Sequence, residues 1–111
     1  MASEIARIAQ RRVVEVDRVS FECGNTTLKM VKTTLGGGWL LNDKIIFTSI
    51  DQAIKAFYDN IIVFGTKDDK DHYNIVMSGT LIYRFFVFAS QEKVCKSIAD
   101  ILKSPPTVID N

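Results

Sequence analysis

The sequence predicts a single α+β domain, mainly antiparallel, with about seven strands in two hairpin-rich groups and a C-terminal helix packed on the sheet. Three observations predict it. First, Thr80 to Leu102 reads as a strand running straight into a helix. Leu81, Tyr83, Phe85 and Val87 alternate with Ile82, Phe86 and Phe88, interrupted only by Arg84. Such a run, apolar on both faces and rich in aromatic and branched residues, reads as a strand buried on both sides, with Phe86 and Phe88 inside. Ser90 then supplies a helix N-cap and Glu92 an acidic first turn. Val94, Ile98, Ile101 and Leu102 recur at helical spacing beside Cys95 and Ala99, and Pro105-Pro106 ends the helix. Second, Gly24-Asn25 and Asn42-Asp43 are tight-turn dipeptides between apolar runs. Third, 111 residues with 47% hydrophobic and 24% charged side chains are enough for one self-sufficient core.

The remaining elements follow in order. Ser3 to Gln10 is a short helix candidate with Ile5, Ile8 and Ala9 on one side, so residues 1–12 form a short N-terminal helix or arm. Val13 to Glu22 reads as a strand. Val14 and Val16 share one parity and Val19 and Phe21 the other, so the slip at Asp17-Arg18 predicts a β-bulge. Gly24 at the first central turn position leads into Thr26 to Leu35 as the return strand, with Lys29 and Lys32 solvated. Gly36-Gly37-Gly38 is read as a hinge or corner between sheets. A phosphate cradle would need a Lys-Ser or Lys-Thr and a helix start after the glycines, and neither follows. Trp39-Leu40-Leu41 and Lys44 to Phe47 form the second hairpin.

Ile50, Ala53, Ile54 and Phe57 sit at i, i+3, i+4 and i+7, which predicts a helix over Ser49 to Tyr58, capped by Ser49 and closed by Asp59-Asn60. Ile61 to Thr66 then reads as another apolar strand, Lys67 to Asp71 as a charged loop, and His72 to Ser78 as an alternating strand turning at Ser78-Gly79. Residues 13–104 thus form the globular domain and 105–111 a flexible tail.

The block from Trp39 to Phe47 after the glycines is similar to the third-to-fourth strand hairpin of pleckstrin-homology-like domains. The block from Tyr83 to Leu102 resembles their last strand and capping helix. That resemblance implies a PH-like barrel. The residues alone equally allow a single curved sheet with two helices on one face.

The chemical inventory is thin. His72 is the lone histidine, beside Asp71 in a charged loop where a solvated role is the ordinary one. Cys23, Cys95 and His72 fall short of the four ligands of a structural zinc site. Asp68, Asp69 and Asp71 lack the glycine and late glutamate of a calcium loop. Cys95 lies on the apolar side of the last helix, whereas Cys23, next to a turn, is the more open thiol on this reading. The aromatics around Arg84 lack the glycine and small residues of an RNA-stacking strand, and a net charge of +1 provides no strong field for nucleic acid. No cofactor or metal is expected. With no apolar leader in the first residues and no run near the ~18 residues of a membrane span, the expected location is cytoplasmic.

The first functional expectation is therefore a non-enzymatic protein- or peptide-binding module, including a homo-oligomer, working by strand addition or in a groove beside the last helix. Tyr73, Lys93, Lys96 and Ser97 are its candidate residues. A second expectation is a small enzyme or small-molecule binder at the glycine corner, with Trp39 as a stacking wall and His72 or Asp71 moving a proton. A third is phosphoinositide or nucleic-acid binding through Arg7, Arg11, Arg12, Lys29 and Lys32.

Overall fold

The computed structural model describes residues 5–7, 13–65, 67 and 71–103. In chain order the elements are β1 (Ile5–Arg7), β2 (Val13–Cys23), β3 (Thr26–Thr33), β4 (Gly36–Leu41), β5 (Ile45–Phe47), α1 (Ile50–Phe64), β6 (His72–Met77), β7 (Thr80–Phe86) and α2 (Gln91–Lys103). All seven strands pair antiparallel in one sheet of order β1-β5-β4-β3-β2-β6-β7. The sheet does not close on itself. Of the two architectures open to the sequence, the open sheet with both helices on one face is the one adopted.

The hairpins form where the turn residues allow. Asn42 and Asp43 both have positive φ (51° and 60°), as do Ser78 and Gly79 (52° and 83°). That backbone matches the right-handed twist of the strands it joins. The bulge expected in the first long strand is present as register shifts between Val13 and Glu15 and between Val16 and Ser20. Ser49 caps α1, its hydroxyl accepting from the Gln52 amide at 3.3 Å. Ser90 does the same for the Lys93 amide at 3.2 Å at the start of α2.

One face of the sheet carries the main core. Phe21, Cys23, Leu28, Trp39, Leu41, Phe47, Tyr73, Ile75 and Phe85 pack against Ala53, Ile54, Phe57 and Ile61 of α1 and Val94, Ile98 and Leu102 of α2. On the opposite face Val31, Leu40 and Ile46 form a second small cluster with Val13. The helices run antiparallel, Lys103 at the end of α2 lying 3.8 Å from Asp51 at the start of α1.

Four expectations are corrected. The strand expected over Ile61–Thr66 is replaced by helix in its described part, because α1 continues to Phe64 and is capped by Gly65. Asp59 and Asn60 do not stop the helix, because their side chains have partners on or beside it. Asp59 accepts from Lys55 one turn earlier. Asn60 Oδ1 accepts from Thr26 Oγ1 at 2.8 Å and from Asn42 Nδ2 at 3.1 Å, tying the helix to two hairpins. Ile61 extends the buried stripe, and Gly65 closes the helix with its amide on the Ile61 carbonyl at 2.7 Å.

At the N-terminus, residues 5–7 are a strand on β5 rather than part of a helix; the rest of that helix expectation and the 105–111 tail lie outside the described residues. The triple glycine is no corner between sheets. It begins β4 itself, after a turn that places Gly36 at φ 121°. Finally, the strand expected at the centre is at the edge. Among the described residues β7 has only β6 beside it, and Phe86 and Phe88 are 52% and 79% exposed. Buried side chains lie on both faces of β3, through Leu28 and Val31, and of β4 and β5, where Trp39, Leu40, Leu41, Ile46 and Phe47 are all covered.

Candidate functional site: the aromatic edge at β7

β7 has the composition of a central strand, and among the described residues it has one neighbour. Its inward face is ordinary core: Phe85 is buried, Tyr83 stacks on it with ring centroids 5.1 Å apart, and the Tyr83 hydroxyl donates to the Ser97 carbonyl of α2 at 3.3 Å. Both described helices pack on that inward face; on the other face, among the described residues, no helix lies over the strand. There Leu81 and Phe86 stand open, and Phe88 follows in the turn, held by the Ala89 amide donating to the Phe86 carbonyl at 2.9 Å.

Strand geometry explains why the rings form a row. The Val87 amide donates to the Asp71 carbonyl at 2.8 Å, so Phe86 and His72, one step along, are a non-hydrogen-bonded pair, the closer of the two antiparallel spacings. Their side chains meet with ring centroids 4.4 Å apart, and Phe86 in turn stacks on Phe88 at 5.1 Å with planes 16° apart. The result is a preformed ladder of three rings, two of them largely in water. Exposed apolar surface of this kind is characteristic of contact sites.

The residues expected to form a groove do not converge. Tyr73 is buried under the helices, where desolvation, then the nearby Cys23 thiol and Tyr58 phenol, push its hydroxyl pKa upward. Lys93 and Lys96 are exposed on α2, Lys96 paired with Asp100 at 3.3 Å, and Ser97 contributes its carbonyl to Tyr83. The cavity that Tyr73 lines is about 10 Å³, too small for a side chain, and contains none of the lysines. Phe86, Phe88 and Leu81 were missed as site residues. One signal could have found them: a last strand joined by a two-residue turn to its predecessor has a second neighbour only if some distant segment provides one.

The alternative sites are also dispersed. An open cavity of about 440 Å³ does sit at the glycine corner, lined by Gly37, Gly38, Trp39, Met30, Lys32 and Glu15 among others. His72 and Asp71 are not part of it. β6 lies three strands from β4 in the sheet, roughly 14 Å at standard spacing, and His72 points to the opposite face from Trp39. Lys29 and Lys32 fall on opposite faces of β3; Lys29 pairs with Asp43 at 3.2 Å and Lys32 lies opposite Glu15. Arg11, Arg12 and the side chain of Arg7 are outside the described residues. Among the described residues no group of three or more His, Cys, Asp or Glu is placed to hold a metal ion, and no helix is long and apolar enough to cross a membrane.

The two thiols exchange the roles expected of them. Cys23 is buried in the core and its pKa is raised by desolvation from 9.0 to about 11. Cys95 is half-buried in the groove between the helices; desolvation raises its pKa, Lys55 lowers it and Asp59 adds to the rise. A thiol reagent at mildly alkaline pH is therefore expected to modify Cys95 in the folded protein and Cys23 only on unfolding. Equal labelling rates in native protein would contradict this. The linkage has a definite sign. A thiol that ionises near 9 when unfolded and near 11 when folded favours the native state below pH 9. Its contribution then fades as pH climbs from 9 to 11.

No family model, curated protein or solved structure matches this chain.

Proposed function

We propose that this chain is a non-enzymatic binding module that takes an extended strand of a protein or peptide partner along β7. One observation carries the reading: a strand apolar on both faces ends the sheet, with Phe86 and Phe88 turned to water. An added strand would complete the main-chain ladder, and its side chains would cover the ring row, which is how strand addition combines affinity with selectivity. The cavity beside Trp39 favours small-molecule binding as a second reading, though without His72 to move a proton there.

The test is selection of extended peptides from a random display library on the folded protein, followed by amide exchange of the complex. Expected is new protection at residues 80–88, and loss of binding in a Phe86→Lys, Phe88→Lys double variant that keeps the native circular dichroism. Peptides that protect the helix pair or the Trp39 corner instead would overturn the reading. So would a selection that enriches nothing.

A further inference from the structure

We infer that the recess where the β2–β3 and β4–β5 turns meet the last turns of α1 is a binding site for a neutral saccharide. None of its lining residues belongs to β6 or β7, so it is independent of the strand-addition reading. The recess is open to solvent and measures about 470 Å³, within the ~300–1,000 Å³ of ordinary ligand sites. Thr26 and Leu41, both buried, lie in its floor, and Lys44 and Phe64, both exposed, stand at its rim. The first support is a set of hydrogen-bond donors that the fold leaves unused. The Thr27 amide can only donate, and it lies 2.8 Å from the Asn42 carboxamide, so it holds Oδ1 of that group toward itself. Asn42 Nδ2 then faces Asn60 at 3.1 Å, which requires Asn60 to present Oδ1 there. Thr26 Oγ1 donates to the same oxygen at 2.8 Å. Among the described residues this leaves both N–H groups of Asn60 Nδ2 and one of Asn42 Nδ2 without a partner, and the Asn60 nitrogen is not sealed from solvent. Donors fixed in this way need no ordering when a ligand arrives. Asn25, exposed in the β2–β3 turn, adds a carboxamide that can both donate and accept.

The second support is charge. Lys44 is the one ionised side chain among the lining residues, and it opposes a cation. Phe64, also in the lining, is the last residue of α1, and the partial negative charge at a helix C-terminus opposes an anion. A neutral ligand satisfies both. The third support is the apolar wall. The Phe64 ring is 68% exposed, and Ile45 stands open on the neighbouring strand. A pyranose ring meets these demands together. Hydroxyl oxygens around its edge accept from the carboxamides, and the C–H bonds of its face cover the phenyl ring.

The test is proton–nitrogen correlation NMR of the intact chain, read at the asparagine side-chain amides. The probes are the methyl glycosides of glucose, galactose, mannose and N-acetylglucosamine, with sodium acetate as the anionic comparison. The expected result is a saturable shift of the Asn42 and Asn60 amide signals with at least one glycoside, at a Kd on the order of 1 mM, and none with acetate. Asn60→Asp keeps an oxygen for Thr26 and Asn42 but removes the two free N–H groups, and is expected to weaken binding about fivefold. Phe64→Ala removes the exposed ring, leaves the amide network in place and is expected to weaken binding about threefold to tenfold with an otherwise native spectrum. Absence of a saturable shift with every glycoside overturns the assignment. So does a glycoside affinity indifferent to Phe64→Ala, or a shift of the same amides by acetate alone.

Discussion

Phe57→Ala is expected to destabilise the fold by about 3–5 kcal/mol, the usual cost of removing a fully buried phenyl ring and leaving its cavity. Phe57 has no exposed surface. It lies in the middle of the α1 stripe Ala53, Ile54, Phe57 and Ile61, with its ring centroid 6.3 Å from Phe21 on β2. It therefore joins α1 to the strand that links the β1–β5–β4–β3 side of the sheet to β6 and β7. Neighbours cannot close the space cheaply, because Leu28, Ile75 and Ile98 are themselves fully buried and held by their own elements. For a domain of this size the melting temperature should fall by ~15 °C or more. Urea unfolding monitored by Trp39 fluorescence measures it. A loss below about 1 kcal/mol would mean that α1 does not pack on the sheet as described.

The second large effect is a contrast within the triple glycine. At Gly38 an added Cβ would lie 3.0 Å from Ile46 Cγ2 and 3.1 Å from the Phe47 carbonyl oxygen, both closer than ordinary contact. Ile46 is fully buried and the carbonyl belongs to the neighbouring strand, so neither yields readily. Gly38→Val should cost about 1–3 kcal/mol through overpacking. At Gly37 the nearest atom to such a Cβ is the Val31 carbonyl oxygen at 3.9 Å, and the position faces solvent. Gly37→Val should therefore be neutral, or stabilising by about 0.5–1 kcal/mol, since a branched residue suits a strand better than glycine. Chemical denaturation of the two variants side by side decides it. Equal cost at both positions would contradict the packing of β4 on β5.

The candidate site was half legible. The apolar row Leu81 to Phe88 stands out in the sequence, and strand addition is among the modes it allows, but composition alone does not decide whether both faces are buried. Composition reports what a strand needs, not what its own chain provides. A groove formed by Tyr73, Lys93, Lys96 and Ser97 requires a gap beside the last helix. In the structure Val94 and Phe85 help line that space and leave about 10 Å³ of it.

What the amino-acid sequence determined by itself was local: the Ser49 and Ser90 caps, the turns at Gly24, Asn42 and Ser78, the bulge in β2, and the α+β class. Each depends on residues within a few positions of one another, through one hydrogen bond or one permitted φ. Tertiary structure alone decided which strands are neighbours, why Asn60 continues a helix, and why β5 takes residues 5–7 as its partner. These depend on contacts between residues far apart in the chain, whose cost in chain entropy is recovered only when the whole sheet forms. The same distinction placed β7, a strand apolar in composition, at the edge of the sheet among the described residues, with Phe86 exposed.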